Sequence, residues 1–285
     1  MSDIKIGIIG GSGVYEIEGI KILKELKVKT PFGSPSDVIR IGELEGVKIA
    51  FLPRHAVGHK IMPSEINSRA NIFALKKIGV EKIISISACG SLKEEIKPRD
   101  FVIPDQLFDR TKSVSPTFFG DGIVAHIGFA EPYCPQLRKI LVETAKSLAM
   151  PVHDGGVYVC MEGPQFSTKA ESKVYRSLGF SVIGMTSLPE AKLAREAEIC
   201  FATVSLATDY DVWKEGEEVS VEKVIANMKV LTGNVQKLIK SIIVKLEGER
   251  KCSCKDALKH SIMTSPKAMN PRTKKKLELL IKKYI

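Results

Sequence analysis

Asp209 and Asp211 stand two residues apart in Ala207-Thr208-Asp209-Tyr210-Asp211-Val212-Trp213, at the end of an apolar run. If that stretch is extended, both carboxylates point to the same side. Helix or turn capping explains one of them more readily than both. A second group, Pro53-Arg54-His55-Ala56-Val57-Gly58-His59, follows an apolar run and sets Arg beside His. The guanidinium is a planar fork of donors suited to phosphate. His55 and His59 have the spacing of a helical metal pair, but Pro53 and Gly58 argue against a helix, and no third ligand is in view. Exposed loop polars are the plain alternative. A third group, Ser85-Ile86-Ser87-Ala88-Cys89-Gly90-Ser91, is a run ending in small residues. It either admits a ligand to the backbone, as at the open end of α/β sheets, or packs closely against a helix. Gly10-Gly11-Ser12-Gly13 is either an anion-binding turn or a tight turn and nothing more.

These groups need elements to hold them. Residues 3–9 read as a buried strand entering the Gly-rich turn, and residues 37–41 and 47–52 as a hairpin around Gly42 and Gly46. Ser64 is placed to cap a helix with Ile66, Ala70, Phe73 and Ala74 on its apolar face and Gly79 past its end. Residues 82–87, 157–161, 181–185 and 200–207 read as further strands. Between them, Pro135 opens a helix, Thr168 and Glu171 form a capping box, and Ser187 caps a helix with Pro189 in its first turn. From Ser220, Val221, Val224, Met228, Leu231, Val235, Leu238 and Ile242 form an apolar stripe on one long helix. Strand–helix alternation without a linker or repeat predicts one α/β domain with a parallel or mixed sheet. Residues 1–248 form this body. Residues 249–285 form a basic extension with short helical stretches at 256–262 and 274–281, separated by Pro266 and Pro271, packing on the same domain or on a neighbouring subunit.

Composition excludes several classes. The chain is 44% hydrophobic and 27% charged, enough to bury a core without staples. No apolar run approaches the ~18 residues of a spanning helix. Residues 1–3 lead straight into a strand, without the basic and apolar parts of a secretory signal, so the expectation is a cytoplasmic protein with no membrane partner. The net charge of +10 is a property of the tail: residues 250–285 hold eleven basic residues and two acidic ones, leaving the body nearly neutral. A nucleic-acid surface would need a basic face on the body too. The six cysteines fall at no zinc spacing, and Cys252-Ser-Cys254 is one residue short of a C-x-x-C turn. Few Asn and Gln beside abundant Lys, Glu and Ile point toward a thermophilic source, where intracellular disulfides occur. Free thiols and a disulfide therefore stand as equal alternatives. Glu16 breaks a dinucleotide fingerprint, no Gly-Lys pair supports a P-loop, and no G-x-S-x-G elbow is present.

Taken in order, Gly10-Gly11-Ser12-Gly13, Arg54-His55 with His59, Ser87-Ala88-Cys89-Gly90-Ser91, Ala130-Glu131-Pro132, Glu162-Gly163-Pro164-Gln165-Phe166-Ser167, Met185-Thr186 and Ala207-Thr208-Asp209-Tyr210-Asp211 resemble the 5'-methylthioadenosine phosphorylases. These are a branch of the trimeric-type purine nucleoside phosphorylases, and the resemblance runs from about residue 4 to about residue 246. It implies a single α/β domain, a mixed central sheet or distorted barrel flanked by helices, with no metal and no cofactor. The implied reaction converts methylthioadenosine and phosphate, a co-substrate, to adenine and 5-methylthioribose 1-phosphate. By similarity, Ser12, Arg54, His55, Ser87, Ala88 and Thr186 hold phosphate. Met185 lies under the ribose, and Phe166 stacks near the base with Ser167 beside it. His59, His126, Val221 and Val224 surround the 5'-methylthio group, with core packing an equal alternative for the two valines. The resemblance also implies a homo-oligomer, a trimer or a dimer of trimers, sharing its sites: His126 reaches across an interface, and Ile262 or Met263 covers a neighbour's pocket. Ser12 and Ser87 stand where relatives often have Thr, keeping the hydroxyl. The Cys252-x-Cys254 tail is similar to archaeal or thermophilic members.

In this reading Asp209 and Asp211 are catalytic and select the base. A carboxylate accepts the N6 amine of adenine, while a protonated carboxyl can donate to N7. Asn at the first position would suit a 6-oxopurine. The expected mechanism is dissociative, with Asp209 as general acid in a desolvated pocket. The rivals are a broader phosphorylase acting on adenosine and inosine, a hydrolytic nucleosidase, and a nucleoside-binding module with a nucleic-acid-associated tail. Arg54-His55 and the Ser12 turn disfavour hydrolysis. The scarcity of aromatic stacking partners in the tail disfavours nucleic acid.

Overall fold

The computed structural model describes residues 4–11, 17–112, 117–217 and 219–285. In chain order the elements are β1 (Ile6–Gly10), β2 (Lys21–Leu26), β3 (Ile39–Leu44), β4 (Val47–Pro53), α1 (Ser68–Lys77), β5 (Lys82–Ser91), β6 (Phe101–Ile103) and β7 (Gln106–Arg110). They continue with α2 (Pro135–Ser147), β8 (Val152–Asp154), β9 (Val157–Met161), α3 (Lys169–Ser177), β10 (Val182–Gly184), α4 (Ser187–Glu196), β11 (Cys200–Asp209), α5 (Val221–Ile243) and α6 (Pro271–Ile281). The strands form one mixed sheet in the order β2-β3-β4-β1-β5-β10-β9-β7, which branches at β5 through β11 to β6 and β8. The chain is therefore a single α/β domain with helices on both faces. No helix among the described residues is long and apolar enough to cross a membrane.

Alternation along the central strands builds the two larger of four buried clusters. Ile49 and Phe51 of β4 join β1, β5 and β11 side chains against α2 and α5, while Ala50 and Leu52 point the other way, toward α1, α4 and α6. The tail belongs to this second core, because Leu258, Met269, Leu277, Leu280 and Ile281 are all buried in it. Its charge is partly paired with the body and within itself: Arg250 meets Glu81, Lys276 meets Asp121, and Lys283 meets Asp256 and Glu198.

Several elements differ from the sequence reading. Ser64 does not cap α1; residues 63–65 make a short 3-10 turn, and the Asn67 side chain accepts the Ala70 N–H instead. Thr186, not Ser187, is the N-cap of α4. Pro271 opens α6 rather than separating it from what precedes, at the one helical position where a missing N–H costs nothing. The residues around 256–262 form a 3-10 turn, Ser253–Asp256, and irregular turns. Strand β2 was missed because it is an edge strand, exposed and Lys-rich, without an apolar alternation. On α5 the stripe divides: Leu231, Val235, Leu238 and Ile242 are buried, while Val221 is exposed.

What positions the site is a gap in the ladder beside β5. Strand β1 pairs in parallel with Lys82–Ser85 and then ends. Strand β10 pairs from the same path with Gly90 and Ser91, antiparallel. Between them the edge of residues 86–89 carries no strand partner among the described residues, so its backbone groups face an opening.

Candidate active site

A cavity of about 460 Å³ fills that opening, with Ser87, Ala88, Gly90, Thr186, Asp209 and Asp211 among its walls. Arg54, His55, His59, Phe166, Met185 and Val224 also line it. Eleven of the fifteen site residues named from sequence thus share one cavity, with Gly90 beside them. Ser12 lies outside the described residues. Three others lie off the cavity. The Ser167 hydroxyl faces Met161 Sδ at 3.8 Å, Val221 is 59% exposed on the outer face of α5, and His126 is on the surface beside the tail.

At one end of the cavity Arg54 is buried and held by four hydrogen bonds. Its Nε donates to Glu190 Oε1 at 2.6 Å, Nη2 to Glu190 Oε2 at 3.2 Å and Ser85 Oγ at 2.7 Å, and Nη1 to the Ile86 carbonyl at 2.9 Å. One Nη1 hydrogen is left without a partner among the described residues. The Arg54 charge is balanced by Glu190, so the attraction for an anion must come from elsewhere. The N-terminus of helix α4 lies nearby, through its N-cap Thr186. Thr186 makes no capping bond to its own helix, so its hydroxyl is free to meet Ser87 Oγ at 3.0 Å, and the first-turn N–H groups carry the positive end of the helix. His55 is neutral: burial pushes its imidazole down to about 4. Its Nδ1 lies 2.8 Å from the Ile61 carbonyl. A carbonyl only accepts, so Nδ1 carries the hydrogen and Nε2 presents a lone pair. The His55 and His59 rings stack at 4.2 Å.

The two carboxyls lie at Gly90, about 10 Å further along β5 at the usual rise per residue. Strand β11 ends at Asp209, and Asp211 has φ 53°, so the pair is not on an extended strand. The backbone turns between them and the Asp211 N–H donates to Asp209 Oδ1 at 2.8 Å. The sequence argument for a shared direction thus fails in detail, although both side chains reach the cavity. Gly90 permits this: a Cβ there would sit 2.9 Å from Asp209 Oδ1 and 3.2 Å from Asp211 Cβ. Burial raises Asp209 to about 6, against the opposing hydrogen bonds from Thr208 and Asp211. Asp211 is also raised by burial, opposed by the nearby Ser172 and Ser167 hydroxyls; neither comes close enough to its buried Oδ2 to make a well-formed hydrogen bond. An unpartnered buried acceptor is costly unless a ligand donates to it. The arrangement can bind an oxyanion at one end and, at the other, offer a carboxyl that takes up a proton more readily than an ordinary aspartate, beside a second buried carboxylate.

Sequence reasoning missed Glu190, since a carboxylate in the first turn of a helix reads as a dipole partner. It also missed Ile225 and Met228, which line the cavity next to Val224. Ile225 sits off the buried stripe and is 64% exposed; an apolar side chain out of phase with its helix was the available signal.

The model of the Phosphorylase superfamily matches residues 5–244, and the chain belongs to that superfamily. It is an enzyme of the nucleoside phosphorylase fold. Among its relatives, S-methyl-5'-thioadenosine phosphorylase of Geobacter sulfurreducens is 51% identical over 98% of this chain and 99% of its own. The enzyme of the same description from Pyrococcus horikoshii is 54% identical over 90% and 98%. A methylthioadenosine phosphorylase crystal structure from an antarctic soil metagenomic library superposes with a TM-score of 0.94, at 46% identity, over 98% of this chain and 99% of that one. A Schistosoma mansoni methylthioadenosine phosphorylase structure in complex with adenine gives 0.85 at 36% identity, over 90% and 96%.

Proposed function

We propose that the enzyme catalyses phosphorolysis of 5'-methylthioadenosine, with inorganic phosphate as co-substrate and no cofactor in the step. The observation that carries this reading is the pair of buried carboxyls, one raised and one with an orphaned oxygen, facing an anion-type donor set across one cavity. Asp211 accepts the N6 amine, and Asp209, in its protonated form, donates its proton to N7. Phosphate, held by Arg54, His55, Ser87, the Ala88 backbone, Thr186 and the Ser12 turn, attacks C1' from the far face. The C1'–N9 electron pair moves into the purine, and the products are adenine and 5-methylthioribose 1-phosphate. Because His55 presents a lone pair, it accepts the hydrogen of monoprotonated phosphate and orients a bare oxygen toward C1'. Phe166 stacks near the base, with Ser167 behind Met161 supporting that wall, and Met185 lies against the ribose.

The apolar wall of Val224, Ile225 and Met228 favours a methylthio group over a hydroxyl, with His59 opposite. A broader activity on adenosine is the second reading, favoured by the adenosine/methylthioadenosine phosphorylase described from Schistosoma mansoni, 34% identical. The test is base release from methylthioadenosine, adenosine and inosine, each with and without phosphate. Phosphate-dependent adenine release, greatest from methylthioadenosine, is expected. Release without phosphate would make the enzyme a hydrolase and overturn the reading.

The enzyme acts in the cytoplasm as a homo-oligomer, a trimer or a dimer of trimers, whose cavities are completed by neighbours. Supporting this, the His126 N–H donates to the Ser261 carbonyl at 2.9 Å and the Met263 N–H to the Val124 carbonyl at 2.8 Å. Both elements expected to reach a neighbouring site therefore form one paired strip, away from this chain's own cavity. Val124 and Met263 are exposed on it. Mass by light scattering, with His126→Ala altering KM for methylthioadenosine but not the mass, checks the arrangement.

A further inference from the structure

Four of the six cysteines, separated by up to 120 positions in sequence, come together in space. The sulfurs of Cys134, Cys200, Cys252 and Cys254 all lie within 4.8 Å of one another, with Cys200 Sγ and Cys252 Sγ at 3.3 Å. No two of the described cysteines are bonded; all are free thiols. Cys134 precedes α2, Cys200 opens β11, and the other two flank Ser253 in the tail. From these positions we propose that the four cysteines form a structural site for one thiophilic divalent cation, of which zinc is the fitting member.

The geometry supports a single ion over paired bonds. A tetrahedral zinc with Zn–S near 2.3 Å requires each sulfur to stand about 3.8 Å from the other three. A disulfide requires closeness in pairs only, whereas here each sulfur is close to all the rest. Four thiolates and one divalent ion carry a net charge of about −2 by the usual ligand count. Lys82, buried beside Cys200 and Cys252, offsets part of it while its ammonium is anchored on the Leu246 and Gly248 carbonyls at 2.6 Å. Cys254, Cys134 and Cys200 are buried, and half-buried Cys252 leaves a path of entry. Binding would release one proton from each thiol, four in all for a free-thiol site, with no oxidant needed. Such an ion would tie the tail to the start of β11 and the head of α2.

The full chain, produced with zinc in the medium and purified under reductant without chelator, should contain about one zinc per chain by elemental mass spectrometry. The double substitution Cys252→Ser/Cys254→Ser should reduce this to near none, and Cys160→Ala, outside the cluster, should leave it unchanged. Should the double variant fail to fold, exchange of cobalt into the unaltered protein reads the site directly. Thiolate-to-cobalt charge transfer and the intense visible bands of a tetrahedral centre are expected, with a lower Tm after a strong chelator. Protein without metal and without those bands overturns the proposal. So does a denatured protein with fewer than six titratable thiols and masses indicating disulfides.

Discussion

Asp209→Asn tests the acid assignment with little change of shape. Burial has moved the Asp209 carboxyl from 3.8 to about 6. At 1.36 kcal/mol per pH unit, protonating an ordinary aspartate at pH 7 costs about 4.4 kcal/mol, and protonating Asp209 about 1.4. The desolvated site therefore contributes about 3 kcal/mol, roughly a hundredfold, toward having the proton in place at neutral pH. Asn can offer N7 a hydrogen bond but no proton, so kcat should fall by about 10²–10⁴, the usual range for general acid catalysis. KM for phosphate should hold, since the anion donors lie at the other end of the cavity. The sign of the pH effect is equally defined. A general acid works below its raised pKa, so at saturating phosphate kcat/KM for methylthioadenosine should decline as pH rises through about 6; the variant should lack that limb. Adenine release measured from pH 5 to pH 9 reads both. Turnover within threefold of the unaltered enzyme, with the declining limb intact, would refute the argument.

Glu190→Gln leaves the Arg54 charge buried without its partner, which typically costs about 3–5 kcal/mol; a lower denaturant midpoint should appear, partly restored by added phosphate, which can neutralise the freed guanidinium. Glu196, hydrogen-bonded to the Phe118 N–H and the Thr117 hydroxyl, is pushed by burial from 4.5 to about 7. The folded chain keeps a proton that the unfolded chain releases, so this contribution is full below about 4.5 and is lost as pH rises through 7. Glu196→Gln should flatten the dependence of stability on pH between 5 and 8 by up to about 3 kcal/mol, read from urea unfolding at each pH. Val224→Ser places a hydroxyl where the 5'-thiomethyl group would rest. The ratio of kcat/KM for methylthioadenosine to that for adenosine should fall by about 10-fold or more, within the 1–3 kcal/mol that such pocket changes carry. An unchanged ratio would move the methylthio subsite away from α5.

Legibility in the sequence followed locality. Strands buried on both faces and helices with strong caps declared themselves in short windows: β5, β9 and β11, the capping box of Thr168 and Glu171, and the Ser220 cap of α5. Elements whose residues answer to distant partners did not. Strand β2 owes its place to pairing with β3 and not to its own pattern, and Asn67 displaced Ser64 as a cap because its amide also holds the Phe32 carbonyl. In the cavity the same division holds. The motif residues were found, but the gap between β1 and β10 along β5 exists only after three strands have assembled. Glu190 likewise has no local signal, since its reason for being acidic is an arginine 136 positions away.

Strand β11 shows why one site could be read and the other could not. Its last residue is Asp209 and its first is Cys200, about 30 Å apart at the usual rise of a strand. At the Asp209 end the chemistry is delivered by consecutive residues, because a tight turn returns Asp211 to the same cavity within two positions; any sequence with that turn repeats the pattern. At the Cys200 end each sulfur but two arrives from a different element, so no spacing rule can join them, and the absence of a zinc motif described the chain without describing the molecule. The strand is buried at every position and pairs with β5 along nearly its whole length. An ion held at its first residue, as proposed, would therefore constrain the register on which the acid at its last residue depends. Loosening the cysteine cluster should be felt first as lost stability, and as altered chemistry only if β11 shifts against Gly90.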